Sequence, residues 1–90
     1  MSTEPMYIGI DMKATGENIS RLRKEAGLSV RSIQEVMGFT SPGAMYKWER
    51  GESLPALENL MVLSQLFGVR MDEILIWSHP PPENRYPARS

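Results

Sequence analysis

The sequence predicts a compact all-α domain of five short helices. Three observations carry that prediction. Apolar residues recur at helical spacing in five successive segments, capping residues and glycines bracket those segments, and the loops between them are about two to five residues long. Ninety residues suit one small domain of this kind.

The first helix is expected over roughly Gly16–Ala26, with Thr15 as N-cap and Gly27 just past its end. Ile19, Leu22 and Ala26 share one face. The second runs over Val30–Met37, between a Ser29 cap and the Gly38 stop, with Val30, Ile33, Val36 and Met37 as its stripe. The third lies in "GFTSPGAMYKWERG". Ser41 is a good N-cap, and proline is tolerated at the first helical position because the amide it lacks would be unpaired there. Gly51 ends this helix as a left-handed cap. The fourth spans Ala56–Phe67, with Leu57, Leu60, Met61, Ser64 and Phe67 on one face and Val62 and Leu66 opposite. The fifth spans Met71–Trp77 and turns Met71, Ile74 and Leu75 inward. Residues 1–12 form an N-terminal arm in which Met6, Ile8 and Ile10 alternate as in a short strand. Residues 13–77 form the domain, and 78–90 a proline-rich flexible tail.

Projecting the third helix at about 100° per residue makes its two sides explicit. With Met45 inward, Trp48 and Glu49 flank the core direction, and Gly43, Tyr46, Lys47 and Arg50 point outward. The same projection turns Arg23 of the first helix inward. A partly buried charge is costly unless paired. Arg23 and Glu49 are therefore expected to bridge the two helices, the alternative being that each extends separately to water. The outward face holds no acid. It follows a short helix and a glycine-containing turn, the layout of a helix-turn-helix unit whose second helix enters the DNA major groove.

Charge and composition narrow the function. Formal net charge is −1, yet residues 13–51 carry seven bases against four acids. One side of the domain can face a polyanion while the whole stays acidic. The chain has no cysteine, its one histidine (His79) sits beside three prolines, and its acids are dispersed. No catalytic or metal-binding group is expected, no nucleotide motif or cofactor is implied, and a non-enzymatic binding protein follows. No apolar run approaches the ~20 residues of a membrane span. The acidic start lacks the basic region of a signal peptide, so no membrane partner and a cytoplasmic location are expected.

The segments "RLRKEAGLSVRSIQEVMGF", "MYKWERGESLPALENLMVLSQLFGV" and "MDEIL" resemble the Cro/C1-type, XRE-like helix-turn-helix family over about Gly16–Leu75. "WERG", a proline four residues later and "LxxLSxLFGV" are the most telling parts. The resemblance implies a five-helix, lambda-repressor-like domain that binds operator DNA, usually as a dimeric repressor or regulator in a bacterial or phage-like, nucleoid-associated setting. It also implies that Arg23 and Glu49 are the family's structural ion pair and Trp48 its core aromatic. Three positions depart from the pattern: Val30 stands where a phosphate-binding glutamine is usual, Gly43 where a base-reading glutamine is common, and Gln34 where alanine packs the two helices. "GFTSPG" is one residue longer than the commonest turn.

For double-stranded DNA the expected contacts are Arg31, Ser41, Gly43, Ala44, Tyr46, Lys47 and Arg50. Lys47 can donate to guanine or phosphate, and Tyr46 can pack on a thymine methyl. Ser41, Arg31 and Arg50 suit phosphate, and Gly43 permits close backbone approach. With few bidentate readers, specificity leans on DNA shape. A homodimer is expected through the spare apolar residues Val62, Leu66, Ile76 and Trp77, which Tyr7, Ile8 and Ile10 of the arm could join or cover. The alternative function is a protein-interaction module or antitoxin-like partner with weak or lost DNA reading, supported by Val30, Gly43 and the acidic balance.

Overall fold

Four α-helices and one 3-10 turn make up a computed structural model that describes residues 9–78. They are α1 (Met12–Glu25), α2 (Val30–Met37), α3 (Gly43–Glu49), α4 (Leu57–Phe67) and the 3-10 turn Met71–Glu73. Met6, Tyr7 and Ile8 of the arm, His79 and the rest of the tail lie outside the described residues. Among the described residues no helix is long and apolar enough to cross a membrane.

Each α-helix contributes to one core: Ile19 and Leu22 from α1, Ile33 from α2, Met45 and Trp48 from α3, Leu60 and Leu63 from α4. Ile74, just past the 3-10 turn, completes it. Phe39 in the α2–α3 turn meets Trp48 edge-on, with ring centroids 5.9 Å apart.

The helix starts differ from the sequence expectation at two places. Asp11 caps α1, accepting the Ala14 amide at 2.9 Å, so the helix begins a turn before Thr15. Gly16 thus lies inside α1, where it lets the helix cross the end of α3 closely. A Cβ at Gly16 would stand 2.5 Å from the Glu49 carbonyl oxygen and 2.6 Å from that of Trp48. At α3, Pro42 occupies the cap position itself, and its carbonyl accepts the first helical bond from the Tyr46 amide at 3.1 Å. Ser41 contributes from one step further back, its hydroxyl accepting from the Gly43 amide at 3.3 Å. At α2 Ser29 and Ser32 cap one another reciprocally, and Gly38 closes the helix in a left-handed conformation.

The predicted stripes also rotate. Ala26, Val36, Leu57 and Met61 are exposed, Leu57 by 65% and Met61 by 55%. In α4 the buried set is Leu60, Leu63 and Ser64, so the helix is turned toward Leu63 and away from Met61. An apolar nearly all-round helix has no unique inward direction in its own sequence. Its neighbours choose one.

The fifth helix contracts to a single 3-10 turn because side chains of α1 capture the groups that would have continued it. Asn18 Nδ2 donates to the carbonyls of Glu73 (2.9 Å) and Ile74 (3.0 Å). The Thr15 hydroxyl accepts the Ile76 amide at 2.9 Å. The chain then runs extended and pairs with the segment before α1. The Asp11 amide donates to the Ile76 carbonyl at 2.7 Å, the Ser78 amide donates to Gly9 at 3.1 Å, and Ile10 and Trp77 form an isolated antiparallel bridge. The all-helical class stands; the two ends of the domain are laced together rather than finished by a helix.

Candidate nucleic-acid interface

The site grows from the short second helix and the turn that follows it. Gln34 lies half-buried where α2 meets that turn, and its side-chain amide donates to the Phe39 carbonyl at 3.3 Å. Gln34 thus braces the turn between the two helices. Val30 is half-buried against the core and contributes packing instead of a polar contact.

Behind α3 an ion pair holds the helix in place. Arg23 donates from Nε to Glu49 Oε2 at 2.6 Å and from Nη2 to Oε1 at 3.3 Å. Its Nη1 donates to the Leu28 carbonyl at 3.0 Å, which ties in the α1–α2 loop. The two side chains are only 13% and 14% exposed. A bidentate pair with a third hydrogen bond is the geometry in which a largely buried ion pair offsets its desolvation.

The outward surface is then set by the helix period. Gly43, Tyr46, Lys47 and Arg50 are exposed, as is Ser41 just before the helix. Ala44 is half-buried against the core, so it separates the core side from the outward side. Arg31 lies exposed on α2 and reaches Glu35 at 3.5 Å along its own helix. Among the described residues Lys47 enters no ion pair. Gly43 has open space around it: an added Cβ would touch only the Ser41 hydroxyl, at 3.4 Å.

Arg50 is not alone. Its Nε donates to Glu52 Oε2 at 2.6 Å and its Nη2 to Oε1 at 3.3 Å. The hydrogen bonds and charge of Glu52 hold the Arg50 guanidinium above its ordinary pKa. The same bonds, with the nearby charges of Arg50 and Lys47, hold Glu52 below the ordinary carboxylate value. An acid therefore reaches a face that has none within α3 itself. Sequence spacing held the signal: a glycine between Arg50 and Glu52 that reverses the chain brings the two side chains together.

Val62, Leu66, Ile76 and Trp77 are dispersed in their exposure. Val62, Leu66 and Ile76 are half-buried, and Trp77 is 50% exposed. Met61, Val62, Gln65 and Met71 line an open groove along α4. Ile10 meets Trp77 within the same chain. Among the described residues no group of three or more His, Cys, Asp or Glu is arranged to hold a metal.

This arrangement has known counterparts. The chain is 34% identical over 59 residues to the HTH-type transcriptional activator BcrR of Enterococcus faecalis, covering 66% of this chain and 28% of that protein's length. Its fold is similar to the restriction-modification controller protein C.AhdI of Aeromonas hydrophila (TM-score 0.62, 23% identity, 71% of this chain and 96% of that one). It is also similar to the DNA-binding domain of BldD (TM-score 0.57, 25% identity, 83% and 99%). A helix-turn-helix family model matches residues 19–74, from the core of α1 to the last core residue. With the turn, the ion pair and the outward face already in place, the chain belongs to the Cro/C1-type helix-turn-helix family.

Proposed function

We propose that the chain is a DNA-binding regulator of transcription that lays α3 in the major groove of double-stranded DNA. The observation that carries this is the outward face of α3, where Tyr46, Lys47 and Arg50 stand exposed on a helix locked from behind by Arg23 and Glu49. A major groove about 12 Å wide admits one α-helix, and a fixed helix presents its side chains in register with base edges. Lys47 is the donor suited to guanine or phosphate. Tyr46 adds an apolar ring and a hydroxyl, Gly43 allows the backbone to approach closely, and Ser41 and Arg31 suit phosphates. With no side chain at Gly43, base discrimination rests on Tyr46 and Lys47 together with DNA shape.

The working unit of this reading is a cytoplasmic, nucleoid-associated homodimer that represses transcription. One small domain offers few contacts, and two copies on half-sites about 34–36 Å apart double them. Val62, Leu66, Ile76 and Trp77, with the exposed Leu57 and Met61, supply apolar surface for such a contact. The same surface favours a second reading, a protein-interaction module or antitoxin-like partner, because exposed apolar side chains mark protein contacts as readily as dimer contacts.

Selection of bound sequences from a random duplex pool, with the mass of the protein measured in solution, tests the reading. A recovered site with two-fold symmetry and a dimeric mass support it. Undetectable affinity for every duplex at low salt removes it and leaves the protein-interaction reading. A reporter placed behind the recovered site reads repression or activation directly.

A further inference from the structure

Arg50 and Glu52 flank Gly51, and the geometry that joins them is not a loop accident. The Gly51 amide donates to the Trp48 carbonyl at 3.1 Å, and the Glu52 amide donates to that of Lys47 at 2.9 Å. These bonds close the end of α3 and reverse the chain. Gly51 is itself locked. Its φ is +78°, and a Cβ there would stand 2.7 Å from the Met12 carbonyl oxygen. The packing of α1 on α3 therefore sets where Glu52 sits. From that position its carboxylate spans Nε and Nη2 of Arg50, with both side chains about half exposed. Glu52 is also close enough to Lys47 to feel its charge. Glu52 thus pairs with one cation of the outward face, Arg50, and its backbone is hydrogen-bonded to the residue that carries the other, Lys47.

We propose that Glu52 is a charge brake on the DNA-facing surface: its carboxylate occupies Arg50 and opposes phosphate, weakening the grip on arbitrary duplex more than the grip on the fitting site. The inference rests on the DNA-binding reading above. Its physical basis is that phosphate attraction is independent of sequence, so an anion beside the two cations subtracts from binding everywhere. At a fitting site the contacts of Tyr46 and Lys47 seat α3 deeply. Arg50 can then exchange Glu52 for a phosphate, since an exposed ion pair is easily broken. The quantity that Glu52 raises is the ratio of specific to non-specific affinity, which decides how a regulator distributes over a genome.

The test is Glu52→Gln in the full chain, which keeps the shape and removes the charge, with Glu52→Asp as the variant that keeps it. Binding to a random-sequence duplex and to the selected site is followed against salt. E52Q is expected to bind random duplex about fivefold more tightly at 0.1 M salt, with a log–log salt slope steeper by about 0.9. Its ratio of selected to random affinity is expected to fall, while E52D stays near the wild type. A structural role for Glu52 would not steepen the salt slope. Unchanged or weaker binding by E52Q, or an unchanged slope, overturns the inference while leaving DNA binding in place. No binding by either wild type or E52Q at low salt removes the DNA-binding reading, and the inference with it.

Discussion

Arg23 and Glu49 show how much one pair of side chains can decide. They are far apart in sequence and nearly buried together, and they connect α1, the α1–α2 loop and the end of α3. Removing one partner leaves the other charge unpaired in a poor environment. Glu49→Ala is expected to cost about 3 kcal/mol in stability. Denaturant unfolding followed by tryptophan emission measures it, and Arg23→Met combined with Glu49→Leu should recover part of the loss. On the other side of the same helix, Lys47→Ala should leave stability unchanged and weaken duplex binding about tenfold, the size of one lost contact. Fluorescence anisotropy with a labelled duplex reads that change. The ion pair was legible in the sequence because two charges fell on core-facing positions. The Arg50–Glu52 pair carried its signal in the spacing around Gly51, which a wheel projection does not read because Glu52 lies beyond the helix.

Packing between elements depends on features that individual helix patterns do not contain. Gly16 sits in the middle of α1, where glycine ordinarily weakens a helix. It is needed because the carbonyls of Trp48 and Glu49 press against it. Gly16→Ala is therefore expected to destabilise by about 2 kcal/mol or more, against the gain that alanine brings to an open helix site. A shift in the thermal midpoint gives the sign. The end of the domain follows the same logic. Thr15 and Asn18 take the backbone groups of residues 73–76 and stop the fifth helix after one turn. Thr15→Val leaves the Ile76 amide without its acceptor, at a cost of about 1–2 kcal/mol. Hydrogen exchange at Ile76 and Asp11 should speed up before any change in α2 or α3. Apolar spacing over Met71–Trp77 suited a helix, and nothing in that segment announced that α1 would compete for its hydrogen bonds.

For the whole molecule, the distribution of charge and apolar surface matters more than either total. The net charge of −1 coexists with a cationic outward face on α3, and α4 leaves Leu57 and Met61 in the open. If a second copy covers the α4 surface, Val62→Glu should lower the dimeric fraction by light scattering with the helical circular dichroism intact. It should also weaken binding to a two-fold site more than to a single half-site, because linking two half-sites multiplies their affinities. A monomeric wild type would direct that surface to another protein.

The sequence by itself determined the class, the inward residues Ile19, Leu22, Ile33, Met45 and Trp48, and the outward face of α3. These follow from helical periodicity, from Ser29 and Gly38 as start and stop signals, and from Pro42 and Gly51 around the third helix, all of which act over a few residues. Only the tertiary structure decided the rotation of α4, the obligatory glycine at position 16, and the lacing of Ile10 and Ile76–Ser78. Each of these depends on a group contributed from elsewhere in the chain. A local pattern can state which side chains need burial, but it cannot state which neighbour will bury them or which hydrogen-bonding group will arrive first.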